Sequence, residues 1–122
     1  MRLTSEFVVS ALIRRVEAAG AYATVARRGD RTAGAIFVLV DGLTGTVTLY
    51  GPAPASLEPP RMPDEAALTG NRLFVKVPIT PADDRPSAEA HLERESQFDA
   101  DLWVVEIEDR AMRSFVPCID TH

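Results

Sequence analysis

Residues 34–40 read Gly-Ala-Ile-Phe-Val-Leu-Val, and a strand of that composition has no polar face. Side chains alternate across a strand with a period of two, so both sides of this one need cover. Such a run belongs in the middle of a sheet, covered by helices or by a second subunit. The segment 101–109 carries the other dominant strand signal and the single tryptophan. Trp103, Val105 and Ile107 form one apolar face. Leu102, Val104, Glu106 and Glu108 form a second face that begins apolar and ends acidic, which reads as half-exposed.

The rest of the chain supplies partners for these two strands. Val8, Val9, Leu12, Ile13, Val16 and Ala19 recur at helical spacing and predict a helix over about 5–19. Thr4 or Ser5 would cap it and Gly20 would stop it. Segments 21–28, 34–40 and 46–50 are separated by short turns, Gly29-Asp30 and Asp41-Gly42-Leu43-Thr44-Gly45, and read as an antiparallel meander. Five of the nine prolines fall in 51–63. Proline brings no amide to a ladder, so this is an extended loop. Residues 64–71 fit a single helical turn or a loop. A fourth strand is expected at 73–77. A second, peripheral helix is expected over about 87–98, capped by Ser87 and apolar only at Ala88, Leu92 and Phe98. Phe115-Val116 reads as a last edge pairing. The pattern is α+β: a mostly antiparallel sheet of about five strands with two helices.

A chain of 122 residues makes one domain over 1–122 and can bury a core without metal or disulfide staples. Net charge is −5, which disfavours nonspecific binding to nucleic acid or anionic membrane. The lone Cys118 permits no internal disulfide, which fits a reducing compartment. No run approaches a membrane span and the first residues lack a signal-peptide pattern. The expected placement is cytoplasmic.

Several constellations bear on chemistry. Arg14, Arg15, Arg27 and Arg28 carry the side chain suited to bidentate anion contacts. The first two are about 100° apart on a helix and the second two point to opposite faces of a strand, so solvation and local ion pairs are the simpler reading. Arg28-Gly29-Asp30 spells an adhesion tripeptide, but Gly-Asp at a turn explains it. His91 and Glu95 stand four apart, too few ligands for zinc; the other histidine is His122. No metal or cofactor is expected. Asp99, Asp101, Glu106, Glu108 and Asp109 form the densest acidic run. Paired carboxylates do acid–base work in some hydrolases, yet strand-end charges more often guard an edge. Tyr50-Gly51-Pro52-Ala53-Pro54 leads into the proline loop and is the segment expected to border a cleft. Cys118 has no neighbour that would activate a thiol. Phosphate loops, paired-cysteine zinc motifs and nucleophile elbows are missing.

Spread along the chain are blocks that resemble an alphaproteobacterial family, domain of unknown function 1491. They are residues 1–7, Ile13-Arg14-Arg15, Arg27-Arg28-Gly29-Asp30, Ala33 to Val38, Tyr50 to Pro54 and Phe98 to Arg110. The last block is the most specific. The family pattern has Pro where this chain has Ala100, and little matches between Leu57 and Pro86. The resemblance implies one domain in a bacterial cytoplasm and supplies no activity.

Two functions are then in view. The leading one is a noncatalytic cytoplasmic binding or interaction module, expected to be a homodimer because strand 34–40 has few helices to cover it. The alternative is a small enzyme or small-ligand protein with a site built from Arg28, Tyr50, Glu106 and Glu108. Arg28 would orient an anion there, and Glu106 or Glu108 would act as base. Nucleic acid and membrane are disfavoured as partners.

Overall fold

The computed structural model describes residues 3–119. In chain order the elements are α1 (Ser5–Ala18), β1 (Tyr22–Arg27), β2 (Ile36–Asp41), β3 (Val47–Pro52), 3-10 turns at Ala55–Leu57 and Asp64–Thr69, β4 (Phe74–Val77), α2 (Arg85–Phe98) and β5 (Trp103–Glu108). One five-stranded sheet has the order β1-β5-β2-β3-β4. The α+β class and the mostly antiparallel sheet follow the sequence. The meander does not.

β5 enters between β1 and β2 and runs parallel to β2, with Ile36 opposite Trp103 and Val40 opposite Ile107. It runs antiparallel to β1, with Ala23 opposite Ile107. Burial explains the choice. Five of the six residues of β2 are buried, as are four of six in β5, whereas four of six in β1 are exposed. Two apolar strands go to the centre, and the strand of small and polar side chains goes to the edge. Gly29-Asp30 is accordingly not a hairpin turn. The Asp30 carboxylate accepts from Thr32 N and Ala33 N at 3.1 and 2.9 Å, and Asp30 N donates to Asp101 O at 2.9 Å. The link from β1 thereby passes across the start of α1, where Ser5 N donates to Thr32 O.

The hairpin from β2 to β3 and the antiparallel pairing of β3 with β4 are present as read. The expected last pairing shifts by a few residues. Phe74 N donates to Pro117 O and Ile119 N donates to Phe74 O, both at 2.9 Å, so residues 117–119 pair with the first residue of β4 on its outer side.

α1 lies on one face of the sheet. Thr4 caps it, its side chain accepting from Phe7 N at 3.2 Å. Val8, Val9, Leu12 and Val16 pack on Ile36, Val38, Val40, Trp103, Val105 and Ile107. α2 lies on the other face, where Ala88 and Leu92 pack with Phe37, Leu39, Val47, Leu49, Leu102 and Val104. The Leu102–Val104 part of the face read as half-exposed is thus buried, and only its Glu106–Glu108 end reaches solvent. Both sides of β2 are covered by helices of its own chain, so its composition is accounted for without a second subunit. Phe98 is 91% exposed rather than part of the apolar stripe. Asp84, not Ser87, caps α2: its carboxylate accepts from Ser87 N at 2.9 Å. Pro86 stands in the first turn, where its missing amide costs no helical bond, and the helix begins two residues before Ser87.

Candidate functional site

A depression of about 710 Å³ opens where β2 and β3 part. The ladder between them runs from Asp41↔Val47 to Val38↔Tyr50 and goes no further. The physical cause is Pro52. Ala53 N donates to Leu73 O at 2.8 Å, so by strand alternation residue 52 faces β2. Trp103 N donates to Ala35 O at 2.7 Å, so the backbone of Ile36 faces β3. The Ile36 carbonyl therefore meets a residue with no N–H to give. β3 leaves with β4, pairing Pro52 with Phe74, and residues 33–36, 52–55 and 70–74 form the walls of the cleft. Gly51 permits this exit: a Cβ there would sit 2.8 Å from the Phe37 ring.

The floor is braced from behind. Ser5, fully buried, donates from Oγ to Gly34 O at 2.6 Å. Arg72 donates to Ser5 Oγ at 3.1 Å and to Leu3 O at 2.9 Å. Thr69 Oγ1 donates to Arg72 O at 2.6 Å. Gly34 is needed at this crossing, since a Cβ would stand 2.3 Å from Asp101 O. Besides Arg72, the polar side chains of the lining are Glu58, Asn71 and Asp99; among the described residues no histidine, cysteine, serine or lysine lines it.

The four residues expected to share a site do not meet. Arg28 pairs with Glu6 at the start of α1, and its guanidinium lies 5.2 Å from the Trp103 ring centroid. Trp103 Nε1 in turn donates to Asp30 O at 2.7 Å. Tyr50 packs on the α1 side of the sheet, where burial pushes its hydroxyl pKa up. Glu106 lies on the opposite side, beneath the start of α2. Glu108 is exposed two residues further on. An Arg28–Tyr50–Glu106–Glu108 cleft is therefore not assembled. The segment expected to border a cleft does so through Pro52, Ala53 and Pro54, with Tyr50 outside the lining.

Sequence reading missed Arg85, which gathers Glu106 and Asp41. Arg85 donates to Asp41 Oδ2 at 2.9 Å and to Glu106 Oε1 at 3.1 Å, with Glu89 at 3.8 Å. The Leu43 amide, and after it Arg85, hold the Asp41 carboxyl below the ordinary range. Asp109 makes a second structural pair. It accepts from Arg113 Nε at 2.8 Å and Nη2 at 3.1 Å, and Arg113 together with the amides of Arg113 and Ala111 lowers its pKa to about 2. The remaining arginines scatter. Arg15 donates to Phe115 O and Arg27 to Ala100 O, while Arg14 is exposed. His91 Nε2 lies 3.4 Å from Glu95 Oε1. Among the described residues no group of three or more His, Cys, Asp or Glu side chains is placed to hold a metal, and no helix is long and apolar enough to cross a membrane.

The sequence model of DUF1491, described as a protein of unknown function, matches residues 3–117. The chain belongs to the DUF1491 family. A crystal structure of a DUF1491 protein from Caulobacter crescentus CB15 is 38% identical, covers 98% of this chain and 100% of its own, and superposes with a TM-score of 0.74. A solution structure of a protein from A. tumefaciens is 43% identical, covers 100% of this chain and 98% of its own, with a TM-score of 0.76. An NMR structure of the Caulobacter family member gives 38% identity, 98% and 99% coverage and a TM-score of 0.74. No protein with a curated description matches the chain. The DUF1491 fold is thus the fold described above.

Proposed function

We propose that this DUF1491 protein is a noncatalytic bacterial binding module that takes its ligand in the cleft between β2 and β3. The observation that carries the reading is the parting of two adjacent strands at Pro52, which leaves a cleft walled largely by main chain and small side chains. Such a site recognises shape and hydrogen-bonding groups rather than driving bond chemistry. The perturbed carboxylates lie elsewhere, Asp41 and Asp109 each in an arginine pair and Asp84 at the cap of α2, which suits structure rather than acid–base work. The same reading places the protein in the cytoplasm, in keeping with a lone cysteine, and includes a second copy of the chain as partner.

Native mass spectrometry on untagged protein from its own host tests this. The expected result is a bound species that leaves on denaturation and is absent from an Ala33→Trp variant, whose side chain fills the cleft from an exposed wall position. Its amide resonance changes on rebinding should concentrate at 33–36, 52–55 and 70–74. A wild-type protein that retains nothing, or a species kept equally by Ala33→Trp, would overturn the cleft as the site.

A further inference from the structure

We propose that two copies of this chain join through the outer edge of β1, antiparallel about a two-fold axis, so that their sheets become one. The inference rests on the homodimer included above and names its surface.

β1 ends the sheet, with β5 on its inner side and no segment on its outer side among the described residues. The opposite end is treated differently, since residues 117–119 pair with Phe74 at the start of β4 and the rest of that short strand carries Lys76. Proteins guard a free edge with charge, proline, short length or a bulge. Tyr22 to Ala26 carry no charge and no proline, and Tyr22 and Val25 are 55% and 36% exposed. The guards of β1 are Arg27 at the end of the strand and the irregularity at Ala26, between the Val25↔Val105 and Arg27↔Val104 pairs.

Charge selects a second copy, and antiparallel, as the occupant. At one end of the strand Glu108 lies opposite Tyr22, exposed and in no ion pair among the described residues. At the other end Arg27 donates to Ala100 O at 3.4 Å and meets no carboxylate among the described residues. A two-fold antiparallel pairing sets the Arg27 end of each copy beside the Tyr22–Glu108 end of the other. Parallel pairing would set like beside like. An interface that is its own complement is the mark of an isologous dimer. With the axis near Thr24, the two Thr24 side chains face each other on the side of the sheet that bears Glu106 and Glu108.

Sedimentation velocity on the full chain, from low micromolar to near-millimolar, tests the proposal. Wild type should run as a dimer that weakens as salt is raised. Thr24→Lys puts two like charges against each other at the axis while leaving each lysine opposite the Glu106 of its own chain. It should weaken association by about tenfold or more with an unchanged circular dichroism spectrum. Glu108→Arg, at an exposed position, should also weaken it, and adding Arg27→Glu should restore it. Wild type that stays monomeric throughout overturns both the dimer and its surface. A wild-type dimer that persists unweakened in folded Thr24→Lys and in Glu108→Arg overturns the β1 surface and leaves the dimer standing.

Discussion

Replacing Arg85 with Met removes the one cation that two carboxylates share. Its contacts with Asp41 and Glu106 are 2.9 and 3.1 Å long, between side chains 34%, 17% and 27% exposed. Hydrogen bonds to charged groups contribute about 1.5 kcal/mol each at the lower end of their range, which partial exposure selects. Fixing the guanidinium costs up to about 2 kcal/mol of rotamer entropy, which the variant regains. Two carboxylates left facing each other repel by about 1 kcal/mol in a well-solvated setting. The net expectation at neutral pH is a loss of about 2 kcal/mol. The pH dependence is the sharper test. Asp41 titrates below its unfolded value in the wild type, so its contribution is present above about pH 4 and is lost as pH falls through the lower folded value. The gap between wild type and Arg85→Met should therefore be widest near neutrality and close in acid. Urea unfolding followed by far-ultraviolet circular dichroism reads both points. A loss under about 0.5 kcal/mol at neutral pH, or a gap that does not narrow on acidification, refutes the shared-cation account.

Two further predictions concern Trp103 and Asp109. Trp103→Phe leaves a void in the α1-side core and deprives Asp30 O of the indole N–H. It should cost about 2–4 kcal/mol, measured by circular dichroism because the variant has no tryptophan to report. Asp109, whose folded pKa is about 2, stabilises the fold above its unfolded value near 4 and ceases to do so as pH falls toward 2. Asp109→Asn should flatten stability across that window by up to one proton's uptake, and an unchanged slope in urea midpoints against pH would count against the Arg113 pairing.

Much of the architecture is legible in the sequence because periodicity reports faces. The helical recurrence of Val8, Leu12 and Val16 gives α1, and the unbroken apolar run 36–40 gives a central strand. Periodicity does not report neighbours. Nothing local to Tyr22–Arg27 or Ile36–Asp41 says that Trp103–Glu108 will come between them; that follows from the global need to bury the two most apolar strands. Capping was more readable than the choice of Ser87 implies. Asp84 stands two residues before Pro86, and proline is at home in a first helical turn, so Asp-Arg-Pro carries the signal. Starting the helix at 87 leaves Arg85 in a loop, which hides its reach to Asp41 and Glu106. As for the cleft, the prolines of 52–54 mark one wall. The other two walls, 33–36 and 70–74, are main chain brought together by tertiary structure, and residue type says little about them.

The placement of β5 has a consequence for the nascent chain. Residues 22–98 leave the ribosome with β2 bare along the side that β5 will occupy, and with β1 holding no sheet partner at all. The central ladder closes only when residues 103–108 arrive, which form the last regular strand among the described residues. Pairing across 67 residues for β2, and 77–86 for β1, is slow and entropically costly. Until then the β1 and β2 segments are exposed strand, open to other chains. Crowded expression should therefore favour misassembly, and a ribosome-stalled fragment ending before Trp103 should be the aggregation-prone species.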